Sequence, residues 1–188
     1  MLDTIVGREK FTTEVVWRTG DKIRPIFKQN LLGRVAERVT GLGIRAWPFG
    51  GHVQALRVHN LITNVGHAAA NGKMSNQGGY LTFTTLAVGV GVLTASANDT
   101  ALGTESTTGG ASRHAATASQ VQTTVSNDTT QLVLTITVTA TLAISEEGIF
   151  DTTGAPTANI GNLLAHQTFA TINVSTGDTL TITHRVQT

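Results

Sequence analysis

The clearest regularity in the chain is a two-residue alternation of apolar and Thr-rich positions through its second half. Leu132, Leu134, Ile136 and Val138 alternate with Val133, Thr135, Thr137 and Thr139, so a strand here has one face to bury and one face dressed in hydroxyls. The same period recurs over residues 80–88, 120–125, 131–142, 168–174 and 179–186 and predicts five strands. Turn-forming groups separate them: Gly89-Val-Gly91, Asn98-Asp99, Gly109-Gly110, Asn127-Asp128, Gly154 with Pro156, and Ser175 to Asp178. This pattern predicts a mainly β fold, an antiparallel, jelly-roll-like β-sandwich over residues 79–188.

Upstream the period changes. Asn60 as an N-cap, the stripe Leu61, Val65, Ala68 and Ala69, and the stop signal Asn71-Gly72 predict one short helix, with residues 59–78 as helix and linker. Its small side chains suit packing against a sheet. Residues 1–58 hold no sustained period. Phe11 to Trp17 has the β-branched and aromatic content of a strand, whereas Pro25 followed by Ile26, Phe27, Leu31, Leu32, Val35 and Val39 approximates one helical face, interrupted at Gly33. The glycine-rich stretch from Gly41 to Gly51 reads as an extended loop with Trp47 and Phe49 as isolated anchors.

Two readings of residues 1–58 follow. They form either an extended N-terminal arm that docks on another molecule, or edge strands and a helix folded back on their own domain. The arm is the leading expectation, because five aromatics lie here without regular spacing. Its anchors would be Trp17, Phe27, Trp47 and Phe49, flanked by Arg24, Arg34, Arg38 and Arg45.

Charge divides the chain at the same place. Residues 1–73 carry 11 Lys and Arg against 5 Asp and Glu, and residues 74–188 carry 2 against 7, so balances of +6 and −5 underlie the net +1. Of the 33 Thr residues, 27 lie in the second part. The basic residues are spread among apolar ones with no run of three, which favours a protein contact over nucleic acid, with the acidic part of a neighbouring copy as one candidate. Absence of Cys excludes disulfides, thiol nucleophiles and thiolate zinc sites. Apolar runs are too short to span a bilayer and the start lacks a secretory pattern, so a soluble chain without a membrane partner is expected.

Catalytic and metal chemistry find little support. His52, His59 and His67 have no carboxylate at ligand spacing, and His114, His166 and His184 are scattered. Glu146 and Glu147 are adjacent, so on a strand they point to opposite faces and cannot flank one substrate. Gly89-x-Gly91 and Gly72-Lys73 lack the remainder of any phosphate-binding loop. The glycosylation-like tripeptides at Asn98, Asn127 and Asn173 read as turns and strand ends. Neither an enzyme nor a cofactor is expected.

Five segments carry a resemblance. Leu86-Ala-Val-Gly-Val-Gly91, Asn98 to Glu105, Ala143 to Asp151, Gly161 to Phe169, and Ile172 to Thr183 together resemble a group of bacteriophage virion proteins described as head-decoration, collar-fibre or tail-fibre components. The match runs over roughly residues 80–188 in the same order. Glu147 falls on the group's glutamate, with Glu147 exposed or capping a turn, Glu146 exposed, Gly148 allowing a bulge that turns Phe150 into the core, and Gly177-Asp178 making the last tight turn. Residues 1–58 have no counterpart in it. The resemblance implies a non-enzymatic virion protein, made in the host cytoplasm: a capsid decoration or cement protein, forming a homo-oligomer, expected as a trimer, and bound through its arm to the major capsid protein or another virion component. A tail or collar adaptor is the alternative, and a carbohydrate-binding module is a third reading.

Overall fold

A computed structural model describes residues 10–40, 48–151 and 157–187. In chain order the first half forms β1 (Lys10–Thr19), β2 (Lys22–Ile23), β3 (Ile26–Gln29), α1 (Leu31–Thr40), β4 (Gly50–Val53), β5 (Leu56–His59), β6 (Leu61–Ile62) and α2 (Asn64–Ser75). The second half forms β7 (Thr85–Gly89), β8 (His114–Ala115), β9 (Thr117–Val121), β10 (Thr129–Thr137), β11 (Leu142–Phe150), β12 (Leu163–Val174) and β13 (Asp178–Gln187).

These elements make a β-sandwich of two antiparallel sheets. One sheet runs β2-β1-β13-β10-β9, with β5 also pairing β1; the other runs β6-β12-β11-β7-β8. Val15, Leu132, Ile136, Leu180 and Ile182 of the first sheet meet Leu86, Val88, Ile144, Ile149, Ile172 and Val174 of the second in one continuous core. The alternation seen in the sequence holds in β10, where Leu132, Leu134 and Ile136 are buried while Thr135 and Thr137 face solvent. A third sheet pairs β3 with β4, and α1 lies in the connection between them.

The arm boundary expected after residue 58 is corrected by strand pairing. All ten residues of β1 pair with β13, and Thr12 to Val15 pair with β5 on the opposite edge. Residues 10–23 and 56–59 are therefore part of the main sheet, which is the fold-back alternative. The unit that stands apart is β3–α1–β4. The strand expected from the β-branched and aromatic content of Phe11 to Trp17 is β1, whose inward positions include Thr13, a polar residue that is fully buried.

Among the described residues there are two helices in place of the expected one. Ile26 and Phe27, read as part of a helical face, instead form β3 and are buried; the helix begins only after Asn30, whose Oδ1 accepts from the Gly33 N–H at 2.9 Å as an N-cap. The helix expected from residue 60 starts at Asn64, because Thr63 is the cap that accepts from the Gly66 N–H, and Leu61 belongs to β6. Its buried face is Gly66, Ala69 and Gly72, and a Cβ on Gly66 would overlap the Leu164 carbonyl of β12. Small residues at this face let the helix axis approach the sheet, as expected. The turn at Gly154 and Pro156 lies outside the described residues.

Candidate functional site

Among the described residues, α1 carries an exposed apolar face. Leu31, Leu32, Val35 and Val39 are 78%, 54%, 51% and 79% exposed. At 100° per residue these four positions fall within about 100° of the helix circumference, with Arg38 and Arg34 beside them on one flank. The opposite side faces the protein: Gly33 is buried, and a Cβ there would overlap the Phe49 carbonyl. Asn30 locks the start of the helix, since its N–H donates to Phe49 O at 2.9 Å and its Nδ2 to Pro48 O at 2.6 Å. A surface helix normally turns its apolar stripe inward. Here the stripe faces out on a unit anchored in the core through Ile26.

The expected anchors divide between this unit and the sandwich. Phe27 is 7% exposed and makes an edge contact with His52, with ring centroids 5.5 Å apart. Trp17 packs half-buried against the core, donates from Nε1 to Asp178 Oδ2 at 2.9 Å, and lies under the Arg24 guanidinium at 5.5 Å. These two aromatics serve the protein's own packing, which corrects their reading as free docking anchors. Phe49 is half-buried between β4 and the start of α1, and Arg34 and Arg38 are exposed on α1. Trp47 and Arg45 lie outside the described residues.

A second set of residues, scattered in the sequence, converges on the outer face of the β7–β11–β12 sheet. Glu146, at 1% exposure, accepts four hydrogen bonds: Oε1 from the Gly91 and Thr104 N–H groups at 2.8 and 2.7 Å, Oε2 from the Gly103 N–H at 2.9 Å and from His166 Nε2 at 3.1 Å. The other ring nitrogen of His166 lies 2.7 Å from Asp99 Oδ2. Burial pushes the Glu146 carboxyl up, but the His166 and backbone hydrogen bonds outweigh it and hold the group below its ordinary 4.5. Burial pushes His166 down, and the hydrogen bonds and negative charges of Glu146 and Asp99 outweigh that, so its pKa is raised above 6.5. The array fastens the long segment between β7 and β8 onto the sheet. Gly89 and Gly91 are required by it, because a Cβ on either would overlap the Glu146 carboxylate.

Two more buried carboxylate contacts extend this construction. Arg113 donates from Nε and Nη2 to the two oxygens of Glu105 at 2.7 and 2.6 Å, with both side chains fully buried, and its guanidinium lies 4.1 Å from the Phe150 ring centroid. On the inner face, Glu147 bridges the two sheets: Oε2 is 2.6 Å from His184 Nε2, and Oε1 accepts from Asn60 Nδ2 at 2.8 Å and lies 3.0 Å from the Thr13 hydroxyl. Thr13, His184 and Glu147 have the composition of a nucleophile–base–acid set. The Thr13 hydroxyl nevertheless lies across both His184 nitrogens, 3.1 Å from Nδ1 and 3.0 Å from Nε2, while donating to Glu147 itself, and all three residues have no exposed surface. The arrangement joins sheets and offers a substrate no access.

Glu146 and Glu147 do point to opposite faces, yet neither is exposed, which corrects the expectation for both. The register shifts of β11 fall between Ile144 and Glu146 and between Ile149 and Phe150. Gly148 answers a different need, since a Cβ there would sit 2.8 Å from Leu163 Cδ1 and 2.9 Å from Leu102 Cδ2. Sequence reasoning missed the His166 and His184 partnerships because the partners lie 20 to 171 residues away.

Surface charge differs sharply from the sequence balance. Of the seven acids after residue 73, Glu105, Glu146, Glu147, Asp151 and Asp178 are buried, and Asp99 and Asp128 are half-buried in hydrogen bonds. Among the described side chains, nine Lys and Arg are exposed against one acid, Asp21. The acidic surface needed for an arm-to-domain contact between copies is therefore missing from the described part of the β domain. No family model, curated protein or solved structure matches this chain.

Proposed function

We propose that this chain is a bacteriophage virion structural protein that decorates the capsid, with the β3–α1–β4 unit as its docking element. The observation that carries the docking role is α1, held rigidly by Gly33 and Asn30 with its apolar stripe facing solvent. The virion assignment rests on the resemblance of residues 80–188, whose quoted segments meet in one place: the glycines of the first segment, Glu105 of the second and Glu146 of the third all serve the clamped segment over the outer sheet. In this reading the sandwich is a rigid body that oligomerises, as an expected trimer, and each α1 adds one contact to the capsid surface. Several weak contacts on one oligomer act together as a strong attachment, which suits a cement protein under internal pressure.

Tyr80, Phe83, Phe150 and Phe169 are none of them exposed, which leaves the carbohydrate-binding reading without an aromatic platform on the β domain. Counting copies in purified particles tests the function. A decoration protein is expected in many copies per head and an adaptor in few, and absence from particles would refute both. Val35→Asp is expected to leave the chain folded and to lower particle occupancy strongly. Removal of residues 1–58 is not a clean test, because it deletes β1 and β5 from the sheet.

A further inference from the structure

The outward face of α1 combines three features. Its stripe of Leu31, Val35, Val39 and Leu32 is exposed, Arg34 and Arg38 border it, and Lys28 is exposed on the strand that leads into the helix. The helix start, with its partial positive charge, lies at the same end as Lys28. Resting on the docking role given to α1 above, we propose that this face inserts into an apolar groove rimmed by carboxylates on a different protein.

Among the described residues, a second copy of this chain does not supply such a groove. Among the described side chains its exposed acid is Asp21 alone, and the half-buried Glu14 is already paired with Arg57. Five acids of the β domain are shut inside and the remaining two are held by local hydrogen bonds, so copies present mainly positive charge to one another. Nucleic acid would satisfy the arginines but leave four apolar side chains against phosphates or water. A rigid helix, fixed on its inner side by the close approach of Gly33 to Phe49, loses little freedom on docking into a shaped protein groove. Apolar contacts then supply the centre of the interface and the arginines its rim, which sets register and partner choice.

A photo-crosslinker on the stripe tests this directly. Full-length protein carrying benzoylphenylalanine in place of Val39 is produced in the infected host, irradiated, and its attached peptides are sequenced by mass spectrometry. The expected product is a peptide of another protein in which Asp or Glu lies close to an apolar attachment point. Yield is expected to fall about threefold to tenfold in Arg34→Glu/Arg38→Glu, with circular dichroism and the thermal midpoint unchanged because both side chains are exposed, and to fall with added salt. Attachment to this chain itself, attachment to a peptide without carboxylates, an unchanged yield in the double variant, or no attachment would each overturn the proposal. Phosphatidylglycerol vesicles and a DNA duplex serve as separate probes, and binding to either that Val35→Asp abolishes would overturn it as well. The virion reading fails separately: a chain missing from particles but crosslinked to an acidic partner refutes the virion role and retains the docking chemistry.

Discussion

Replacing Glu146 by Ala removes the acceptor of three backbone N–H groups and of His166 in one step. Each buried donor left without a partner costs about 1–3 kcal/mol, and the bonds to a charged acceptor lie at the upper end of that range. The costs do not add in full, because the segment between β7 and β8 can lift off and let water reach Gly91, Gly103 and Thr104. Lifting it exposes Leu102 and uncovers Ala87, Phe150 and Leu163, which now form one buried cluster. These two limits bracket the expected loss at about 3–5 kcal/mol, comparable with breaking one side of a buried ion pair. Urea unfolding gives the size of the effect, and amide hydrogen exchange gives its location. Protection of the Gly91, Gly103 and Thr104 amides should collapse, whereas amides in the β10–β13 ladder should lose only the global share. Glu146→Gln keeps an acceptor oxygen but aims an amide NH2 at a donor, so it should fall between wild type and Ala. A loss below about 1 kcal/mol, or protection lost evenly over the molecule, would refute the account of Glu146 as the clamp.

Further outcomes follow from the same geometry. The raised pKa of His166 makes its contribution complete below pH 6.5 and lost as pH rises through the folded value, while the depressed Glu146 contributes fully above pH 4.5 and is lost as pH falls through its folded value. The urea midpoint should therefore peak between these limits, and His166→Gln should flatten the alkaline side; a wild-type midpoint that does not fall above pH 6.5 contradicts this. Arg113→Ala strands Glu105 without its guanidinium and should cost about 3–5 kcal/mol by urea unfolding, whereas Arg113→Lys should recover only part because it cannot span both oxygens. Gly148→Ala should cost about 1–3 kcal/mol, since Leu163 and Leu102 must move away; an unchanged thermal midpoint would show the outer layer to be loosely packed.

How legible the fold was depended on whether a residue's neighbours are near in sequence. The alternation of β10 and the Ser175–Asp178 turn, with Gly177 at φ 89° and the Asp178 N–H donating to Ser175 O at 3.0 Å, are local and match the structure, whereas the strand expected over 131–142 ends at Thr137 with Leu142 opening β11, that over 120–125 ends at Val121, and that over 80–88 begins at Thr85. β12 was read five residues short, because residues 163–167 contain His166 and Gln167, and His166 is buried only through Glu146 and Asp99. β1 matches the strand content of Phe11 to Trp17, but the inward place of Thr13 depends on a glutamate 134 residues away. The stripe on α1 was visible, but its direction was not: whether an apolar face points inward depends on Gly33 touching Phe49, a contact made across the connection between β3 and β4. The candidate anchors failed in the same way. Trp17 in a basic stretch suggests a free aromatic until Asp178 is placed beside it.

The division of charge along the chain has a structural origin on one side only. Carboxylates in the second part sit where long connections must be fastened to sheets: Glu146 gathers three N–H groups, Glu105 takes Arg113 and the Asn159 N–H, Asp151 takes the Asn162 N–H, and Asp128 takes those of Thr123, Thr124 and Val125. Each satisfies backbone donors that a loop-rich β fold leaves unpaired, so the −5 balance reflects construction of the β module. Among the described side chains, the basic residues of the first part are exposed and have no comparable interior duty. Arg18, Lys22, Lys28, Arg34 and Arg38 are all exposed. The near-neutral sequence therefore does not give a neutral described surface, and three of its exposed cations, Lys28, Arg34 and Arg38, lie on or beside α1, whose apolar side faces out. A contact made there should weaken with salt through its rim while its apolar centre persists, a separation measurable as a larger effect on association rate than on dissociation rate.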